Sequence, residues 1–231
     1  MPDAGGRPEP SPTAVERVAA SVRTDILRGA LAPGTPLREE SAAAEYGVSR
    51  HTVRAAFQRL VAERLAVAEP YRGVRVTTFD RDEIIALQQL RAALEVEAVR
   101  IAGERFGEAW PDAALAPAHA AVERMAALAA RHPEDADGAD AEGADADWLE
   151  VERLHAEFHR ALVAASESPR IIDAHAALGS ELLLFVLHIR PHYSVDGLVA
   201  EHRALLAALP ERGPDAVREH LAHSTSLLVG R

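Results

Sequence analysis

Apolar residues recur at helical spacing through Val15, Val18, Val22, Ile26 and Leu27, which predicts an amphipathic helix over 14–28 stopped by Gly29. The turn residues Pro33-Gly34-Thr35-Pro36 lead into a short helix over 39–46 closed by Gly47. Ser49 then caps a third helix over 50–64 with the apolar stripe Val53, Ala56, Phe57, Leu60 and Val61. At this point the period drops from 3.6 to 2. Leu65–Ala68 and Val74–Thr78 alternate as two short strands around the turn Glu69-Pro70-Tyr71-Arg72-Gly73. Beyond Phe79 the spacing is helical throughout, with helices expected over 80–106, 111–131, 148–166, 168–189, 195–209 and 214–229. Residues 1–13, rich in Pro and Gly, read as a disordered tail, and the acidic stretch 133–147 reads as a solvated loop. That stretch is no EF-hand, because Ala139 and Asp140 stand where such a loop needs an oxygen ligand and a glycine.

With 231 residues and 48% apolar content the chain can build two modest cores. The boundaries follow the change of period: a tail at 1–13, a mixed unit at 14–79 and an all-helical unit at 80–231. No apolar run approaches the roughly 18 residues of a membrane span, and the first residues lack the pattern of a signal peptide, so a cytoplasmic protein is expected. The absence of cysteine excludes disulfides, thiolate metal sites and cysteine nucleophiles, leaving the eleven histidines for metal or proton chemistry. The net charge of −11 is unevenly spread. Residues 15–79 hold ten arginines against seven acids, whereas everything from residue 80 holds 14 arginines against 27 acids. An acidic surface repels phosphate, so any contact with nucleic acid falls to the first unit.

The segment Gly47-Val48-Ser49-Arg50-His51-Thr52-Val53-Arg54 places a tight turn before a helix whose first turn carries Ser, Arg, His, Thr and Arg. Donor-rich side chains at a helix N-terminus, backed by an apolar stripe, are what a recognition helix requires to meet base edges and phosphates. Arg50 or Arg54 is suited to a bidentate contact with guanine. Arg72 and Gly73 sit at the hairpin tip, and Arg38 precedes the second helix.

These residues, together with Ile26-Leu27-Arg28-Gly29, Pro33-Gly34-x-x-Leu37, Leu60, Glu63 and Arg72-Gly73-x-x-Val76, resemble the GntR family of bacterial transcriptional regulators. The resemblance implies a mainly α fold: an N-terminal winged helix-turn-helix followed by an antiparallel all-α helical bundle. It implies operator contacts from Ser49, Arg50, His51, Thr52 and Arg54, with Arg72 and Gly73 in the wing; Arg38, near the start of the second helix, is a further candidate DNA contact. Departures from the family pattern are Thr52 in place of proline, Ala55-Ala56-Phe57 in place of Glu-Ala-Leu, and Glu40 in place of arginine.

Past residue 80, Leu90-Arg91-x-x-Leu94-Glu95, Phe158-His159-x-x-Leu162, Glu201-His202-x-x-Leu205 and His223 resemble the FadR-type sensor domain called FCD. Many members hold a metal ion with one Asp and three His. By resemblance His159, His202 and His223 are the histidine ligands, and the position of the aspartate is occupied here by His155. At i and i+4, His155 and His159 share one helix face and can converge on one ion. Four neutral imidazoles suit a divalent zinc or nickel ion, or copper, better than magnesium or calcium. His220 competes with His223 as the last ligand, and spacing from Ala216 favours His223. Arg91 and Glu95 are candidates for effector binding, with Glu157, Glu201 and Arg91 as groups that orient the ligands. His119, His132, His175, His188 and His192 read as surface or core residues, and His188, Arg190 and Tyr193 as a candidate pocket lining. The expected protein is a homodimeric, ligand-responsive regulator, a repressor, that binds double-stranded operator DNA and senses a small carboxylate. The rival readings are a metal-dependent hydrolase built on the histidines, for which no general base is evident, and a regulator without metal.

Overall fold

The computed structural model describes residues 11–107, 109–131, 141–189 and 194–229, with the side chains of 141–147, 185–189 and 228 left aside. The chain divides into two compact units, one ending at Thr77 and the other running from Thr78, to which Leu27–Gly29 also belong.

The first unit contains α1 (Ala14–Leu27), β1 (Pro36–Leu37), α2 (Glu39–Tyr46), α3 (Arg50–Ala62), β2 (Ala66–Glu69) and β3 (Gly73–Val76). Its core takes the stripes predicted for α1 and α3: Val18, Val22, Ile26, Val53, Ala56, Phe57 and Leu60 are all buried, whereas Val61 is only partly so. The three strands pair antiparallel in the order β1-β3-β2. β1 appears where a plain turn was expected. A two-residue strand beginning with proline has no periodic signature, and its pairing of Pro36 with Arg75 and Leu37 with Val74 is made only by the folded sheet. Arg23 on α1 grips Glu63 after α3 with two hydrogen bonds of 2.8 and 2.7 Å, fixing the two helices to each other.

The second unit is helical: α4 (Arg81–Phe106), α5 (Asp112–Ala129), α6 (Ala141–Ala164), α7 (Pro169–Ala176), α8 (Gly179–Ile189), α9 (Val195–Arg212) and α10 (Pro214–Val229). A capping box between Asp80 and Glu83 starts α4. α5, α6 and α9 pack around Leu115, Val122, Met125, Leu154, Phe158, Leu162, Leu205 and Leu209, joined by Val99 of α4 and Val217 of α10. A separate cluster unites Ile84 and Leu87 of α4 with Leu178 and Leu182.

Two expectations need correction. α6 starts at Ala141, inside the stretch read as a loop: the alanines among its acids favour helix, and acidic residues suit a helix N-terminus. The single helix expected over 168–189 is two. The chain turns at Ala177-Leu178 before Gly179, which lets His175 and Leu178 both be buried. The readings placed on residues 1–10 and 132–140 and on His188, Arg190, His192 and Tyr193 lie outside the residues whose structure or side chains are described.

Candidate functional site

The first unit presents the recognition segment as an exposed helix start. Gly47 takes the left-handed conformation (φ 62°, ψ 35°) that closes α2, and Ser49 caps α3 by accepting the Thr52 N–H at 3.1 Å. The Ser49 and Thr52 hydroxyls are themselves 2.9 Å apart. Arg50, His51 and Arg54 are exposed on the first turn and a half, and Arg38 is exposed at the N-cap of α2. Arg54 is held by Glu39, with Nε and Nη2 each donating at 2.7 Å to its two oxygens. This partnership, fifteen residues apart, has no sequence signature. It lowers the Glu39 carboxyl below its ordinary range, through the Arg54 hydrogen bond first of all. At the hairpin tip Arg72 is exposed 3.8 Å from Glu69, Gly73 has φ 80°, and the fully exposed Tyr71 also adopts a positive φ of 63°. The wing thus exposes an aromatic residue and an arginine in succession.

Inside the second unit, α6 and α9 bring three imidazoles together. His155, His159 and His202 are all buried, and each offers a nitrogen within 4.8 Å of the others', a donor set able to hold one metal ion. Their rings meet edge to face, with centroids 4.7 to 5.2 Å apart, and Phe158 packs against His159 and His202. The fourth ring near them is His220, stacked on His159 at 5.4 Å and 4.8 Å from His202. His223, expected there, lies half-exposed one turn outward, 3.2 Å from Glu201. α10 presents Val217 and Leu221 to the core, which carries His220 rather than His223 inward with them.

The orientation of the rings is set by their other nitrogens. His202 Nδ1 donates to the Leu198 carbonyl at 2.6 Å. His159 Nδ1 lies 2.8 Å from Glu95, and an ionised carboxylate only accepts, so the imidazole donates. Each ring therefore turns a lone pair on Nε2 inward, and these two atoms are 3.2 Å apart. Two lone pairs at that distance repel unless a cation lies between them. Burial pushes His202 down to about 3 and His159 down to about 4, and pushes His155 and His220 well below their ordinary values, so a proton does not fill that role near neutrality. The separation matches two imidazole nitrogens each about 2.0–2.1 Å from a shared ion.

Glu95 is the centre of the supporting network. It is fully buried on α4, accepts from Arg91 Nε at 2.6 Å and His159 at 2.8 Å, and lies 3.0 Å from His175 Nε2. Burial alone would raise its carboxyl, but the adjacent Arg91 and the histidine contacts outweigh it and hold the group well below the usual range. Of the two other acids read as orienting groups, Glu157 pairs with Arg124, and Glu201 lies 3.2 Å from His223. His175, read as an ordinary core or surface residue, belongs to the network. No spacing in the sequence links α7 to α4.

A basic, donor-rich winged unit joined to a helical unit with a buried polar centre defines a ligand-responsive DNA-binding transcriptional regulator. The chain belongs to the GntR family: residues 14–76 match the model for bacterial regulatory proteins of the gntR family, and residues 86–225 match the FCD domain. It is 30% identical to the HTH-type transcriptional regulator BphR of Paraburkholderia xenovorans over 222 residues, covering 93% of this chain and 84% of that one. It is 27% identical to the HTH-type transcriptional repressor GlaR of Escherichia coli over 209 residues, covering 87% and 89%. A solved GntR transcriptional regulator from Rhodococcus sp. RHA1 superposes with a TM-score of 0.71 at 28% identity, covering 94% of this chain and 97% of its own. Among the described residues no helix is long and apolar enough to cross a membrane.

Proposed function

We propose that this regulator is a cytoplasmic homodimeric repressor whose two winged units read half-sites of a pseudo-palindromic operator, and whose bundle senses a small carboxylate at a metal-supported site. His155, His159 and His202 hold a divalent ion, zinc or nickel, with His220 beside them as the fourth imidazole. The observation that carries this reading is the pair of inward Nε2 lone pairs at 3.2 Å, each ring locked by a donor bond from Nδ1. Bound there, the ion supplies a positive charge that attracts an anionic effector. Arg91, nine-tenths or more buried and tied to Glu95 through Nε, adds a guanidinium suited to a carboxylate. No carboxylate replaces the family's aspartate among the ligands, which strengthens the demand for an anion from outside. In the winged unit Arg38, Ser49, Arg50, His51, Thr52, Arg54, Arg72 and Gly73 make the DNA contacts, with Glu39 setting the direction of Arg54. Effector binding alters operator affinity by as much as it distinguishes the two arrangements of the dimer.

The test is elemental analysis of the full-length protein beside His159→Ala, His220→Ala and His223→Ala, with binding to the DNA upstream of its own gene read by anisotropy. One zinc or nickel per chain is expected, lost in His159→Ala, weakened in His220→Ala and kept in His223→Ala. Protein that stays metal-free after reconstitution with either ion would sink the metal reading. DNA binding without sequence preference at any salt concentration would sink the operator reading.

A further inference from the structure

The helical unit holds a second place where space and positive charge coincide. α6, α7 and α8 enclose a cavity of about 270 Å³, near the small end of the roughly 300–1,000 Å³ that ligand pockets take. α6 lines it with Arg153, Ala156 and Arg160. Ala156 and Arg160 each follow one of the inward histidines by a single residue, so the cavity opens about 100° round α6 from the face that carries His155 and His159. The chain from residue 80 has 27 acids to 14 arginines, yet Arg160 meets no acid among the described residues. Its Nε donates to the Ala156 carbonyl at 3.3 Å, which lays the side chain back along α6 toward Arg153. Arg153 lies 3.8 Å from Glu150, beyond hydrogen-bond reach, and Glu150 is engaged by Arg124 at 3.0 Å. Two guanidiniums on one wall of the cavity therefore keep donors to give. The start of α8 leaves room for what they would hold. A Cβ on Gly179 would meet no atom within 4 Å, and its φ is outside the left-handed region. Neither the backbone nor the packing requires glycine there, and a helix is less stable with glycine than with alanine; what glycine spares is the open space of the cavity.

We propose that this cavity is a second ligand site, for a phosphate monoester of a small apolar molecule. Above its second pKa of about 6 a phosphate monoester carries close to two negative charges and three acceptor oxygens. These suffice for both guanidiniums and for the hydroxyl of Ser180, which also lines the cavity. A monocarboxylate brings half that charge and only two oxygens. The rest of the lining is largely apolar, with Ala176, Leu182 and Leu183. Inorganic phosphate leaves that surface wet, whereas a hydrocarbon group on the ester covers it. The acidic surface of the unit repels anions elsewhere, which concentrates a dianion at these arginines. His175 is 2% exposed, lines the cavity and has Nε2 3.0 Å from Glu95. The ligand and the buried network thus share a wall, and occupancy of the cavity is felt at this ring. None of the residues that would hold the ester is a candidate metal ligand, so the site stands independently of the metal reading.

The experiment is calorimetric titration of the full-length protein, at low salt and above the second pKa of the phosphate, with phenyl phosphate, benzoate and inorganic phosphate. The wild type is expected to bind phenyl phosphate about tenfold or more tightly than benzoate, and more tightly than inorganic phosphate. Arg160→Gln and Arg153→Gln, both at exposed positions where folding is not at stake, are each expected to weaken phenyl phosphate by about tenfold or more. Gly179→Leu, which fills the cavity, is expected to weaken it as well. Histidine ring signals in nitrogen-15 spectra then locate the ligand, with His175 assigned from a His175→Gln protein: phenyl phosphate is expected to move the His175 signals. The proposal is overturned if phenyl phosphate does not bind, if benzoate or inorganic phosphate binds as tightly, or if the affinity survives both arginine replacements. It is equally overturned if the signals of the buried histidine centre move while those of His175 stay, since the phosphate has then gone to that centre. Binding that persists in protein free of metal supports this site even where the metal reading has failed.

Discussion

Replacing Glu95 by glutamine keeps the side chain's volume and removes its charge. In the native bundle that charge lies among three donors, Arg91 Nε at 2.6 Å, His159 Nδ1 at 2.8 Å and His175 Nε2 at 3.0 Å. A neutral amide offers one oxygen where the carboxylate offered two, so at least one N–H comes to face another N–H. The histidines can relieve this by changing tautomer, but Arg91 cannot, since its guanidinium never gives up its proton. An uncompensated buried charge left by removal of its partner costs about 3–5 kcal/mol. For a domain of this size each kcal/mol lowers the melting temperature by about 2–4 °C, so Glu95→Gln is expected to melt roughly 6–20 °C below the wild type. The comparison is best made on chelator-treated protein, which removes stabilisation by metal binding. Both tryptophans of the chain, Trp110 and Trp148, belong to the helical unit, so urea denaturation followed by fluorescence reports that unit alone. A double replacement, Arg91→Met with Glu95→Leu, removes both charges and should be markedly less destabilising than either single change. A Glu95→Gln protein within about 1 kcal/mol of the wild type would refute the placement of Glu95 at the centre of the buried network.

The metal-free bundle should lose stability as pH falls below about 6.5, where an unfolded histidine begins to bind a proton, and the loss should continue down to the folded values of about 4 for His159 and about 3 for His202. Across that window the unfolded chain holds more protons, so each such histidine contributes a slope of up to about 1.4 kcal/mol per pH unit; a flat profile between pH 6.5 and 4.5 in urea titrations would contradict it. Phe158→Ala should cost about 3–5 kcal/mol, because Phe158 is fully buried against the His159 and His202 rings, and metal affinity should fall with it. Ser49→Ala removes the cap of α3 and should lower the stability of the winged unit by about 0.5–2 kcal/mol, read by limited proteolysis of that unit. Arg54→Ala should reduce the preference for the operator over unrelated DNA by about 1–3 kcal/mol in competition anisotropy, and Glu39→Gln should reduce it less, by leaving Arg54 free to turn.

Local signals wrote much of this protein into its sequence. The periods of Val18-Val22-Ile26 and Val53-Phe57-Leu60, the cap at Ser49 and the glycine at Gly47 each act within one or two turns of chain, and the first unit follows them closely. The pairing of His155 with His159 was legible for the same reason, since i and i+4 share a face of any helix. What lay beyond reach was whatever depends on two elements meeting. The strand Pro36-Leu37 exists because β3 lies beside it, and Glu39 found Arg54 across the turn between α2 and α3. His220 displaced His223 because Val217 and Leu221 fixed the rotation of α10 against the core, a choice of about one helical turn that spacing along one helix cannot make. His175 joined Glu95 only when α7 and α8 broke apart at Gly179. Periodicity determines which face of a helix is buried; only packing against other helices decides which polar group that face meets, and in a dry interior that meeting fixes the direction of every donor and lone pair.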